Sequence, residues 1–461
     1  MSMAKAIPIR KALLASLLAI GLADLLFSLP AVYNGFPFVF HDTPWYLFLK
    51  FHPMRTPYYS LLILPLHWKM SLWPVVFGQA LILAHLLYLT LRVAFGTVDL
   101  PRYLVLCLIL TLCTSLPWFA GQIMPDVLTA VVVLASFLLA FGIDRMHRLE
   151  VAYVFLLLTG AITVHLSHVP LSLGLLLVAL GYKALFLPSE VLRPAPFALQ
   201  AGAIAIAVAG LVLANAVVFG NFSLSPGGKL FLMARSIADG PGRQYLEEIC
   251  PEKHYRLCDY LGDMNGDSDH ILWKPEGPVS KAGGYQQIIP EADAIFRGAV
   301  ERYPGWHLRM ALSNFAEQLV TFGTGAELGS YLWKPSLGEG IERGVPGSAE
   351  GYSHSRQTRE ELPLSTLRLI GNFSARVSLV LAAASVVILW RRRDWQALAL
   401  LVMVAAALIG NAMISGIGSG PHDRYQSRVV WLLTFAAVAG VLYAFPRRGR
   451  TRGQDAGASR A

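Results

Sequence analysis

A chain of 461 residues that is 55% hydrophobic and 15% charged, with mean hydropathy +0.52, carries more apolar side chain than one or two soluble cores can bury. This composition excludes a disordered chain. The net charge of +9 invites a nucleic-acid reading, but the placement of the charges removes the need for one.

Ten stretches approach the ~20 mostly apolar residues that a helix needs to cross ~30 Å of hydrocarbon. They run over 11–33, 72–95, 101–118, 126–143, 150–166, 169–187, 197–219, 367–390, 395–414 and 427–445. The predicted fold class is an all-α polytopic membrane protein with about ten transmembrane helices and one mixed, mostly helical and loop-rich extracytoplasmic domain. The first stretch has a basic start like a signal peptide, but no convincing cleavage site, and reads as an uncleaved helix. The short polar break Thr163–His168 separates the fifth and sixth stretches, with one long kinked helix as the alternative.

Seven helices and a first outer loop, 34–71, make an N-terminal bundle over 1–219. Residues 220–366 form the outside domain, 367–445 hold three more helices, and 446–461 are a basic cytoplasmic tail. With the N-terminus inside, the inner segments hold 17 Lys and Arg. The short outer ones hold five, namely Lys50, Arg55, Lys69, Arg424 and Arg428. That bias places both termini in the cytoplasm. The 220–366 region carries a net −5 and the rest of the chain +14. The basicity therefore lies mostly along a cytoplasmic rim facing anionic lipid, and no nucleic-acid partner is expected.

Within 220–366, the spacing predicts a short amphipathic helix over 228–237 and a longer one over 290–322, broken at Pro304. The apolar face of the latter includes Leu308, Leu312, Phe315 and Leu319. The stretch 323–365 is rich in Gly, Ser and Glu, lacks periodicity and reads as a mobile loop. Cys250 and Cys258 are expected to pair in an oxidising compartment, whereas Cys107 and Cys113 lie in the third helix and pack there.

Unusual polar residues fall on the outer side. Asp42, between aromatic residues at a membrane surface, is a candidate general base with a raised pKa; a helix N-cap is the alternative. Arg55 and Arg424, with Arg235 as a third candidate, carry guanidinium forks that match phosphate; snorkelling to headgroups is the alternative. Asp423 beside Arg424 offers a further option, a local ion pair. Asp126 follows Pro125 at a helix start, where a carboxylate also suits the positive helix end. His165 and His168 are three apart and share a helical face, for a sugar, a metal or ordinary polar packing. Asp24 lies within the first stretch, where a structural role is expected.

Four of these elements together resemble the GT-C class of membrane glycosyltransferases. They are Asp42-Thr-Pro-Trp-Tyr46, Arg55-Thr-Pro-Tyr58, Pro125-Asp126 and Asp423-Arg-Tyr425. The resemblance implies transfer of a sugar from a polyprenyl-phosphate donor to an extracytoplasmic glycan, lipid or protein acceptor. It makes Asp42 the catalytic base. Arg55 and Arg424 become phosphate ligands, with Tyr58, Asp126, His165, His168 and Tyr425 as further substrate-binding candidates. No metal ligand is assigned. The class often has two adjacent acids in the first loop where this chain has His41-Asp42, so a divalent metal is left open. The expected location is a bacterial plasma membrane. A transporter or flippase, and a non-catalytic assembly protein, are the competing classes.

Overall fold

The computed structural model describes residues 3–191, 193–332 and 334–444; the expected basic tail lies outside them. Each of the ten apolar stretches contains a helix. These are α1 (Met3–Asn34), α2 (Trp73–Phe95), α3 (Leu100–Cys113), α4 (Val127–Phe141), α5 (Arg148–Thr163), α6 (His168–Phe186), α7 (Pro194–Phe219), α8 (Leu364–Arg391), α9 (Trp395–Gly418) and α10 (Asp423–Ala444). Among the described residues no strand forms. Seven of the ten are long and apolar enough to cross a membrane; α3, α4 and α5, with 14, 15 and 16 residues, are shorter.

Local chemistry sets those shorter lengths. Asp99 caps α3 by accepting from the Arg102 backbone N–H, and the helix stops at Thr114, short of Pro117 in a separate turn. Gly142 ends α4. The polar break after Thr163 divides α5 from α6, so the fifth and sixth stretches are two helices.

Every residue of α4 is buried, and α2, α5, α6, α7, α9 and α10 all pack on it. A helix that is apolar all round belongs in such a centre. The long helices α7 and α8 are instead mostly exposed, with Leu213, Val217, Leu369 and Phe373 turned outward.

The loops 35–72 and 419–422 bond to 220–363, and 114–126 bonds to the first loop, at one end of the bundle. Residues 228–302 build a separate apolar core from Leu230, Met233, Ile237, Leu246, Ile271, Ile288 and Ile295, which Met54 of the first loop enters. The Cys250–Cys258 disulfide is formed beside it. The amphipathic helix extends over Gly228–Ala238, and the longer run is Tyr285–Arg302 followed by Pro304–Val320.

One expectation fails here. The stretch 323–365 is not an open loop. It holds helices Ser336–Gly344 and Ser348–Ser353, and Leu328, Leu337, Ile341 and Val345 join the bundle core. Their four-residue apolar spacing is masked by intervening Gly and Glu. The helix Pro304–Val320 forms as the spacing predicts, and the fold shows which of its positions are buried. Leu308 and Leu312 are 62% and 58% exposed, while Asn314 and Gln318 are buried, as this helix packs along α9. Gln318 donates to the His422 carbonyl at 3.0 Å and accepts from the His422 N–H at 2.9 Å, which pins the last loop.

Candidate functional site

The first loop is built as a clamp. Gln357 holds Val39 through both its amide atoms, at 3.1 and 2.8 Å. Thr43 accepts from the Phe40 N–H and donates to the Ile123 carbonyl, fixing the turn beside the 121–123 segment. The short helix Thr43–Leu47, with Pro44 in its first turn, then starts at Asp42.

Asp42 occupies the N-cap position but does not cap. Its carboxylate takes two bonds from Arg55, at 2.6 and 2.7 Å. His41 stands 3.4 Å away, and the Lys334 ammonium donates to the His41 carbonyl at 3.2 Å. Burial pushes the Asp42 carboxyl up, but Arg55 and His41 overcome it and hold the group below the usual carboxylate range. The expected raised pKa is therefore corrected: a bidentate guanidinium stabilises the anion more than burial destabilises it. Burial lowers His41 and His52 to about 4, so both imidazoles are neutral at pH 7.

Arg55 is committed to Asp42 rather than to headgroups, and it lines a cleft with His52, Tyr58, Leu166, Leu211, Ala214 and Asn215. Tyr58 donates to the Gly210 carbonyl at 2.7 Å, tying the first loop to α7. One wall of this cleft is thus the largely exposed helix α7.

A second charged group sits where α4 meets α10. Asp126 is buried and does not cap α4; its carboxylate accepts from Arg428 at 3.1 Å and faces Arg424 at 3.7 Å. Arg428 also donates to Asn411 at 2.9 Å. Arg424 lies over the Phe40 ring at 4.5 Å and over the Tyr425 ring at 5.2 Å, and so meets the first loop. Asp423 is not its partner: that carboxylate takes the Gly323 N–H and the Arg368 guanidinium.

The remaining candidates have other duties. Both ring nitrogens of His168 are used, by Thr129 at 2.9 Å and the Ala161 carbonyl at 2.6 Å. His165 bonds Ser167 at 2.7 Å. Arg235 is paired with Asp239 and is remote in role from Asp42. Asp24 lies within α1. Among the described residues no three His, Cys, Asp or Glu side chains gather as metal ligands.

Sequence reasoning missed Glu327, which is 6% exposed. Burial pushes its carboxyl up to about 8, with Arg424 opposing the rise. At pH 7 the site then holds three guanidinium groups, Arg55, Arg424 and Arg428, against the two anions Asp42 and Asp126. No periodic signal marks Glu327, whereas Arg428, four residues after Arg424 on one helical face, was findable.

No protein-family profile, curated protein or solved structure matches this chain.

Proposed function

We propose that this protein is a membrane glycosyltransferase using a polyprenyl-phosphate sugar donor, as the GT-C resemblance implies. The observation that carries the reading is the cleft where Arg55, paired with Asp42, faces the lipid-exposed helix α7. A prenyl chain lying along α7 brings its phosphate to Arg55. Arg424 and Arg428, two guanidinium groups against Asp126, add positive charge next to the first loop that favours an anion nearby.

The mechanism follows from competition. The donor phosphate draws the Arg55 fork away from Asp42. Freed of its partner and still buried, Asp42 becomes a stronger base. The acceptor hydroxyl oxygen bonds to the anomeric carbon and gives its proton to Asp42. The carbon–oxygen bond to phosphate breaks, and its electron pair leaves on the polyprenyl phosphate, stabilised by Arg55 and Arg424.

In this reading α3, α4 and α5 also traverse the membrane inside the longer helices, giving ten passes. Both termini are cytoplasmic and the Asp42 end is extracytoplasmic. The basic rim supports that orientation. Asp42→Asn tests the assignment: transfer falls at least ~100-fold while the protein still inserts and folds. Wild-type transfer in that variant removes Asp42 as base.

A further inference from the structure

A small hollow lies on the other side of the first loop, lined by Trp118, Phe119, Gln122, Gly325, Glu327 and Leu328. It is joined to the charged group by the loop itself. Phe38 packs on Trp118 at 5.4 Å, Phe40 carries Arg424 on its face, and Asp42 reaches Arg55. The Gln122 side-chain nitrogen Nε2 and the Glu327 oxygen Oε1 are buried and have no hydrogen-bond partner among the described residues. Gln122 is 2% exposed and Glu327 6%. Buried polar groups are rarely left unsatisfied, so these two mark a place for a ligand atom.

The chemistry of the two groups selects the ligand. Nε2 only donates, and Oε1 is free to accept. A single hydroxyl is both acceptor and donor, and so matches the chemistry of both. The hollow has room for a group about the size of one water molecule. Trp118 and Phe119 make the rest of its lining apolar, so the two polar groups are its main hydrogen-bonding partners. Burial keeps Glu327 largely neutral at pH 7, which suits a hydroxyl better than a cation.

We infer that this hollow receives one hydroxyl of a sugar, held between Gln122 and Glu327, and fixes the orientation of that sugar relative to Asp42. The inference rests on the transferase reading and names the group that the second side of that site recognises. The hydroxyl belongs either to the donor sugar or to the acceptor.

The test uses the full-length protein in lipid nanodiscs with methyl glycosides of glucose, galactose, mannose and arabinose. Binding is read by saturation-transfer NMR. At least one glycoside binds the wild type, and its signal falls at least about tenfold in Gln122→Leu and Glu327→Leu with unchanged thermal midpoints. If Glu327→Leu does not fold, Gln122→Leu carries the same test. Displacement by a polyprenyl phosphate bearing that sugar, and not by bare polyprenyl phosphate, assigns the hydroxyl to the donor. No displacement by either assigns it to the acceptor. Absence of glycoside binding, or equal binding in the variants, means a water site only and overturns the inference. Polyprenyl phosphate binding that still depends on Arg55 in that case leaves the transferase reading standing.

Discussion

The Asp42 carboxylate and the Arg55 guanidinium, thirteen residues apart, are joined by two bonds of 2.6 and 2.7 Å at the edge of a cleft walled by α7. Breaking a largely buried pair on one side strands a charge. Asp42→Asn and Arg55→Gln should each cost about 3 kcal/mol in stability. The double variant should recover part of this, with a coupling energy of about 1–3 kcal/mol in a denaturant-based cycle. Transfer activity should not return with the stability, because the proposed mechanism uses both groups. Additive losses would show that the pair is not coupled.

The packing under the first loop is tight. A Cβ at Gly340 would stand 2.7 Å from the Pro44 Cβ, and one at Gly344 would stand 2.6 Å from the Leu47 Cβ. Gly340→Ala and Gly344→Ala should therefore push the Thr43–Leu47 helix and cost about 1–3 kcal/mol. Transfer should fall in folded protein, read at a temperature well below the midpoint. Unchanged activity in both variants would separate this helix from the site.

Glu327 gives a pH signature. Its folded pKa of about 8 is raised above its ordinary value of 4.5 by burial. Between those values the unfolded chain has lost the proton and the folded chain keeps it. Stability is therefore lost as pH rises through this window, by up to ~1.4 kcal/mol per unit, and levels off above about 8. Glu327→Gln should flatten this slope in thermal or denaturant midpoints taken from pH 5 to 9. An unchanged slope would place the titration elsewhere.

The Cys250–Cys258 bridge closes a loop with a sequence separation of eight. Chain entropy assigns such a loop about 2.5 kcal/mol. Cys258→Ser should lower stability by that order, most visibly by hydrogen exchange in residues 228–302, and leave transfer unchanged.

Much of the bundle was legible because lipid-facing and buried helices both need long apolar runs. All ten stretches contain helices, and the Thr163–His168 break is real. The lengths of α3, α4 and α5 were less legible, since Thr114, Gly142 and Val164 stop helices without stopping hydrophobicity. The region 323–365 was misread because Leu337, Ile341 and Val345 are diluted by glycine and acid. Pro304–Val320 was legible as a helix, but the burial of Asn314 and Gln318 was not, because the sequence does not say which face meets a neighbouring helix. At the site, Asp42, Arg55, Asp126 and Arg424 were visible as residue types out of place. Their pairing was not, because contacts between a turn, a loop and distant helices have no period. Glu327 carried no local signal at all; only the fold shows that it is buried near Arg424.

Binding of tritiated undecaprenyl phosphate to the purified full-length protein in nanodiscs tests the central claim most directly, since it needs neither the sugar nor the acceptor. The account predicts saturable binding that weakens at least about tenfold in Arg55→Ala. Leu308→Ala, on an exposed face away from the cleft, should leave it unchanged. Equal binding by wild type and Arg55→Ala would contradict the account.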